Sequence, residues 1–372
     1  MSARIAEPEH PARRRGEIVH VSPAMFGARG VWGGGERYAL ELARAQASRC
    51  PTRLVVFGRR TRRLRLGDLS VHVLGAGTRR DGRVSNPRPE LLSAELMSAR
   101  AVHVHQMESK LTELIALLGF GLRRNVFVTD HGGAGSTVMP RSMRCRLLRA
   151  HLAVSRFAAA GYPELADRTT VIYGGVDPAK FAPSRGNRES LIVFVGRLLP
   201  HKGIDMLIRA LPSDARLEIY GRPYDERYAE DLRQLARGKQ VRFITRASDA
   251  EIVNAYRRAR VSVLPSVDRT MYGASVAKTE LFGLTLVEAM ACGTPAICTT
   301  AGAMSEVVVD NETGYVVPAG DPDALGDRLR ALLAGGALWS RMSATAAAHV
   351  RQSFTWDHVA ERSLTAYGLR QP

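Results

Sequence analysis

The strongest constraint on the fold is a rhythm: short β-branched runs alternate with amphipathic stretches along most of the chain, and the rhythm breaks once. In the first half, residues 18–22, 54–57, 71–74, 101–105, 126–129, 152–155 and 171–173 read as strands, with helical patterns at 36–47, 89–100 and 110–118. Such alternation builds βαβ units and hence a parallel sheet flanked by helices. The pattern stops over residues 177–187, which hold two prolines and a glycine. It resumes with strands at 191–195, 217–220, 241–244, 261–264, 296–299 and 315–317. Helical stretches at 205–210, 226–236, 249–258, 286–292 and 322–333 alternate with these, and a last helix at 356–367 has no strand after it. A chain of 372 residues exceeds what one hydrophobic core normally supports. Two α/β domains in series are therefore expected, over residues 17–180 and 181–355, after a disordered basic tail at 1–16 and before a terminal helix at 356–372.

Charge follows the same division. The formal net charge is +17. Residues 1–185 hold 30 Lys/Arg against 15 Asp/Glu, whereas residues 186–372 hold 23 against 21, so the excess is +15 in the first half and +2 in the second. A surplus of that size attracts an anionic surface, ligand or polymer; an Arg-rich solvated face is the plainer reading. The four cysteines, Cys50, Cys145, Cys292 and Cys298, form no C-x-x-C pair and have no histidine cluster at zinc spacing beside them in sequence. Reduced thiols in the cytoplasm are expected. The first sixteen residues carry charge and proline in place of an apolar segment, so no secretion signal is expected, and nowhere do eighteen apolar residues run together.

Three segments carry candidate chemistry. The first strand leads into a loop with Gly27, Gly30 and Gly33-Gly34-Gly35-Glu36, followed directly by a helix. Glycines there allow close backbone approach, and helix N-terminal amides favour phosphate; a flexible loop, with Glu36 complementing the helix dipole, explains the pattern equally well. The second domain opens with a strand and the run Phe194 to Asp205, in which Arg197 and Lys202 share one strand-to-helix turn with Gly196 and Gly203. Two cations at that end of an open sheet suit a diphosphate. The third segment runs from Glu280 to Cys298. Its Thr285-Leu286-Val287-Glu288 matches a capping box, which would make Glu288 a helix-start residue. The helix is apolar nearly all round, so a carboxylate within it needs further partners, and sugar hydroxyls are suitable ones. Glu280 would be a second such acceptor, and the amides of Leu284 and Thr285 can meet a phosphate. Asp321-Pro322-Asp323 resembles a metal-binding D-x-D but reads better as a helix cap with a first-turn acid.

With Glu280-x7-Glu288 set in E-x-F-G-L-x-x-x-E-A-M-A-x-G-x-P, the chain resembles glycosyltransferase family 4. Gly33-Gly34-x-Glu36, His131 in Thr129-Asp130-His131-Gly132, Val154-Ser155, Gly175-Val176-Asp177, Gly196-Arg197 with Lys202-Gly203, Leu264-Pro265-Ser266 and Gly302 with Glu306-Val307-Val308 match further parts of that family's pattern, as do Trp356 and Tyr367. The resemblance implies a GT-B fold: two facing Rossmann-like domains with parallel sheets, and a C-terminal helix returning to the first domain. The chain departs from the pattern at Tyr173-Gly174-Gly175, at Arg222-Pro223-Tyr224 after Gly221, and at Thr245-Arg246-Ala247. These positions lie near the hinge and the nucleotide base, so the base of the donor is not named.

By the resemblance the protein is a retaining, metal-independent glycosyltransferase whose second domain holds a nucleotide-diphosphate sugar. It implies catalytic contributions from His131, Glu280, Arg197 and Lys202. Nucleotide-sugar contacts would come from Gly34, Gly35, Arg197, Lys202, Phe282, Gly283, Leu284, Thr285 and Glu288, with Glu288 on the ribose and Glu280 on the transferred sugar. No cofactor is expected. The acceptor would be a glycan, a lipid-linked precursor or a small polar molecule bound by the first domain, whose basic residues 59–65 would meet an anionic membrane from the cytoplasmic side. The alternative is a sugar-nucleotide or polyanion-binding protein of the same fold without turnover. Nucleic acid is disfavoured because no aromatic residues interleave the basic runs at 59–65 and 79–83.

Overall fold

The computed structural model describes residues 16–25, 34–58, 60–75, 77–78, 84–86, 89–132 and 136–369. The tail before Gly16, the glycines at 27, 30 and 33, and Arg59, Arg79, Arg80 and Arg83 lie outside the described residues. The chain forms two compact units, one of residues 1–173 with 356–372 and one of residues 174–355.

In the first unit the strands are β1 (Glu17–Met25), β2 (Thr52–Gly58), β3 (Arg62–Leu66), β4 (Leu69–Gly75), β5 (Gly77–Thr78), β6 (Val84–Asn86), β7 (Ala99–His105), β8 (Val126–Thr129), β9 (Ala150–Ala153) and β10 (Thr169–Val171). Eight of them form one sheet in the order β10-β9-β8-β7-β1-β2-β4-β3, while β5 and β6 make a separate ribbon. The large sheet is parallel except for β3, which runs antiparallel to β4 at the edge. β3 is a strand the β-branched pattern does not reveal, because its sequence is Arg-Arg-Leu-Arg-Leu. Arg62, Arg63 and Arg65 are exposed on it, and charge on an edge strand also discourages pairing with other chains.

The helix Gly34–Ala47 buries Tyr38, Ala39, Leu42, Ala43 and Gln46 along one stripe. The C-terminal helix Trp356–Ala366 buries Trp356, Val359, Ala360, Ser363 and Leu364 along another. These stripes meet. Trp356 stands edge-on to Tyr38 with ring centroids 5.2 Å apart, and Arg49 pairs with Asp357 at 3.0 Å. The terminal helix is thus part of the first unit.

In the second unit β11 (Glu189–Val195), β12 (Arg216–Tyr220), β13 (Val241–Ile244), β14 (Ala259–Leu264), β15 (Ala296–Thr299) and β16 (Gly314–Val317) form an all-parallel sheet in the order β13-β12-β11-β14-β15-β16. Leu191, Ile192, Val193 and Phe194 of β11 are all buried, as expected where helices cover both faces of a sheet. Strand order reverses between β11 and β14, so a crevice opens beyond their carboxyl ends. The first sheet has the same reversal between β1 and β7.

The boundary expected at residue 180 falls instead between Tyr173 and Gly174. The seven residues in question belong to the second unit by their bonds. Val176 N–H donates to the Phe354 carbonyl at 2.9 Å, and the Arg257 guanidinium donates to the carbonyls of Ala182 and Lys180. Tyr173 marks the exit from the first unit with φ +60°, a left-handed conformation that a bulky residue rarely adopts. Its carbonyl accepts from Tyr38 Oη, and the Arg362 guanidinium lies 5.4 Å from its ring centre. The helices Arg141–Leu147 and Gly336–Ser353 are further elements absent from the sequence expectation.

Candidate functional site

In the second unit the loops after β11, β14 and β15 converge. Gly203, at φ +63°, closes the turn Pro200–Lys202, and a Cβ there would stand 2.0 Å from the Pro265 carbonyl oxygen. Val267 N–H donates to the His201 carbonyl at 2.9 Å, which fastens the two loops together. Gly302, at φ +70°, does the same for the acidic segment: its missing Cβ would lie 2.3 Å from the Glu280 carbonyl oxygen, and Ala303 N–H donates to that oxygen at 2.9 Å.

This convergence brings Lys202 and Glu280 into a direct ion pair, Nζ to Oε2, with both side chains mostly buried. His201 sits among the same charges. Burial, with Lys202 and Arg197 nearby, pushes its pKa down to about 4 against the pull of Glu280, so it is neutral at pH 7. Arg197 lies with its guanidinium 5.6 Å from the ring centre of Tyr224. The sequence drew attention to Arg222-Pro223-Tyr224 only as a departure; in the structure Leu198 N–H donates to the Arg222 carbonyl at 3.0 Å, which sets the Tyr224 ring beside Arg197.

The helix Leu284–Ala291 starts two residues before the capping-box pattern requires. Its N-cap is Gly283 at φ +93°, with no side-chain cap, so the expected box of Thr285 and Glu288 does not form. Thr285 is already helical and Glu288 lies in the second turn. The Leu284 and Thr285 amides at the helix start therefore lack intrahelical acceptors and can meet an anion. Glu288 is 3% exposed, and Tyr256 Oη donates to its Oε2 at 3.4 Å. Phe282, expected among the binding residues, has its side chain packed: it is 6% exposed, its ring centre is 5.9 Å from that of Phe354, and it fills the space where Gly174 lacks a Cβ. Asp321 caps the helix Pro322–Leu333 by accepting from Ala324 N–H at 2.9 Å, as its sequence implied.

In the first unit Gly35 and His131 meet. A Cβ on Gly35 would fall 2.9 Å from the His131 Cβ, so glycine is what lets the helix start approach the histidine. The His131 ring also lies against Tyr38, tilted by 53° with ring centroids 4.7 Å apart. Burial pushes its pKa down to about 4, against the pull of Asp130. Gly34 has open space around it.

Behind His131 lies a cluster that the sequence reading missed. His20 on β1 is opposite His103 on β7, and His105 lies two residues on, on the same face. All three are buried, and one nitrogen from each falls within 4.8 Å of the others, close enough for a cation to bridge. Yet each of the six ring nitrogens already has a hydrogen-bond partner: His20 Nδ1 with His105 Nε2 at 2.8 Å, His20 Nε2 with Gln46 Oε1 at 2.7 Å, His103 with Thr129 Oγ1 and Tyr367 Oη at 2.7 Å each, and His105 Nδ1 with His131 Nε2 at 3.2 Å. Alternating histidines in an otherwise apolar strand were the available signal.

Comparison with known proteins places this architecture. The family model described as "Glycosyl transferases group 1" matches residues 177–349, and "Glycosyltransferase Family 4" matches residues 32–180. This chain belongs to glycosyltransferase family 4. Similar family members include a phosphatidyl-myo-inositol mannosyltransferase of Mycobacterium leprae, 37% identical over 204 residues, which are 52% of this chain and 50% of that one. A D-inositol 3-phosphate glycosyltransferase of Corynebacterium diphtheriae is 33% identical over 191 residues, 48% of this chain and 42% of that one. The chain thus spans about half the length of the curated relatives it matches. Among solved structures, sucrose-phosphate synthase of Thermosynechococcus elongatus matches with TM-score 0.72 and 22% identity over 95% of this chain and 98% of that one. Anabaena HepE, solved in complex with UDP and glucose, matches with TM-score 0.72 and 17% identity over 95% and 99%. The fold is GT-B.

Proposed function

We propose that this family 4 chain transfers a sugar from a nucleotide-diphosphate sugar to an acceptor hydroxyl with retention of anomeric configuration. The observation that carries the reading is the convergence, beyond β11, β14 and β15, of two cations, an uncapped helix start and two carboxylates. Arg197, Lys202 and the amides at Leu284 and Thr285 suit a diphosphate; Glu280 and Glu288 suit sugar and ribose hydroxyls. As the bond from the sugar C1 to the phosphate oxygen breaks, negative charge grows on the diphosphate. Arg197 and Lys202 offset it without reorganising, which lowers the barrier. The acceptor oxygen bonds C1 on the same face, and its proton passes to the departing phosphate. His131, neutral at pH 7, offers an acceptor for a hydroxyl. This chemistry needs no metal.

For the acceptor, a lipid-linked molecule is supported by two features of the first unit. Its charge is strongly positive, with Arg62, Arg63 and Arg65 exposed on β3. It also exposes Leu117 and Phe120 on one helix face, with Val138 and Met143 in the segments that follow. A relative is named for transfer to a phosphatidylinositol. Among the described residues no helix is long and apolar enough to cross a membrane, so contact with lipid would be at its surface. The reading is tested by incubating the chain with a panel of nucleotide-diphosphate sugars, with and without inositol phosphate or phosphatidylinositol vesicles. Release of nucleoside diphosphate and the anomeric configuration of the product are followed by NMR. Hydrolysis or transfer from at least one donor is expected, and inertness toward all would overturn it.

A further inference from the structure

The buried polar network in the first unit has one proton arrangement that satisfies every bond. The Ser363 hydroxyl donates to the Ala360 carbonyl at 2.8 Å, so it accepts from Gln46 Nε2 at 2.6 Å. That orients the Gln46 amide and leaves its Oε1 facing His20 Nε2, which must carry the proton. His20 is buried and neutral, so its Nδ1 is a bare acceptor and His105 Nε2 must donate to it. The same step repeats: His105 Nδ1 is bare, and His131 Nε2 must donate to it. A second branch agrees independently. The Thr129 hydroxyl donates to the Leu152 carbonyl at 2.7 Å, so it accepts from His103 Nε2; His103 Nδ1 then accepts from Tyr367 Oη, which leaves the tyrosine oxygen free to accept from Gln46 Nε2. Two backbone carbonyls thereby determine all the protons.

We infer that Gln46, His20 and His105 are positioning residues that hold His131 in its Nε2–H tautomer, leaving the Nδ1 lone pair to accept a hydrogen bond from a substrate hydroxyl. Among the described residues His131 Nδ1 meets no hydrogen-bond partner, and the residue is half-buried. A histidine in the other tautomer would present N–H there and could not accept from a hydroxyl. Through Ser363 and Tyr367 the C-terminal helix is part of the device, which gives its return to the first unit a chemical role. The functional half of the inference rests on the reading of His131 proposed above, whereas the tautomer itself does not. The cluster is also a candidate for a bridging cation, but a cation would have to displace the proton of the His20–His105 bond.

The test is long-range proton–nitrogen NMR of the full-length, nitrogen-15-labelled chain at neutral pH, which distinguishes protonated from bare ring nitrogens. His20, His105 and His131 are each expected with Nε2 protonated and Nδ1 bare. In His20→Leu, His105 loses its acceptor and His131 is expected to show mixed tautomers. His20→Gln can donate to Gln46 and accept from His105, so it should restore the single form. Turnover should fall about 10- to 100-fold in His20→Leu, mainly in kcat, and recover in His20→Gln. If His20→Leu does not fold, Gln46→Leu removes the same anchor, and the wild-type spectrum is decisive alone. An Nδ1–H signal from His131 in the wild type, unchanged tautomers in the leucine variants, or loss of the ring N–H signals on adding Zn²⁺ would each overturn the inference. Tautomers that follow the variants while turnover does not would uphold the tautomer and overturn the positioning role, removing His131 from the reaction.

Discussion

Lys202 Nζ is paired with Glu280 Oε2, and 78 positions of sequence separate the two residues. Each is the other's counter-charge in the ligand-free chain, and both side chains are mostly buried. A diphosphate entering this site has to share the ammonium with the carboxylate. Isothermal titration with nucleoside diphosphates should therefore show strong coupling. Lys202→Ala is expected to weaken binding by roughly 10- to 100-fold, the scale of a hydrogen bond to a charged group. Glu280→Gln should leave it equal or tighter, and the double variant should depart from additivity by about 0.5–3 kcal/mol. Independent, additive effects would separate the pair from the binding site.

Glu288 differs from Glu280 in having almost no exposure and in accepting from Tyr256 Oη inside its own unit. Glu288→Gln keeps the shape and removes the charge. We expect nucleotide-sugar turnover to fall by about 10- to 100-fold, with thermal melting of the ligand-free chain shifted by only a few degrees. Unchanged steady-state turnover would show that the carboxylate serves the helix alone.

Gly302 ties the acidic segment to the end of β15. Gly302→Ala forces a Cβ toward the Glu280 carbonyl in a backbone conformation with φ +70°. A loss of about 2–4 kcal/mol in chemical denaturation is expected, together with weakened donor binding because Glu280 itself must move. Gly34→Ala meets open space and should cost less than about 1 kcal/mol.

Much of the sheet was legible because parallel strands buried on both faces read as β-branched runs, as in Leu191 to Val195. β3 was not legible: its three arginines mask Leu64 and Leu66, and only pairing with β4 makes it a strand. The site divides likewise. Arg197, Lys202 and Glu280 stand in loops whose glycines mark the turns, so sequence located them. The start of the helix carrying Glu288 misled, since Thr285 to Glu288 has the spacing of a capping box while the left-handed Gly283 begins the helix earlier. The histidine cluster could not be assembled from sequence, because His103 and His105 on β7 stand 83 and 85 positions from His20 on β1 and meet it only through the crossover order of the sheet.

Acid should destabilise the first unit in a defined interval. Burial holds His20 at about 4 in the folded chain against 6.5 ordinarily, and His103 and His105 are shifted the same way. Between those values the unfolded chain binds more protons, so stability falls as pH drops from about 6.5 to about 4. One such group is worth about 3 kcal/mol. Denaturation midpoints across that range should show the slope, reduced in His20→Gln; a flat profile would mean that the histidines are charged or solvated in the folded chain.

If the basic first unit meets a membrane, Arg62, Arg63 and Arg65 on β3 contribute. The triple variant to Glu should lower co-sedimentation with anionic vesicles at low salt, at up to about 1 kcal/mol per cation removed. Equal sedimentation with neutral and anionic vesicles would assign those arginines to the protection of the sheet edge.

A diphosphate held where β11, β14 and β15 end is central to the proposed reaction. The most direct measurement compares nucleoside diphosphate release from a panel of nucleotide-diphosphate sugars by the wild-type chain, Lys202→Ala and Glu288→Gln. Release from at least one donor by the wild type, reduced at least tenfold in both variants, is predicted; equal rates in all three, or no release from any donor, would contradict it.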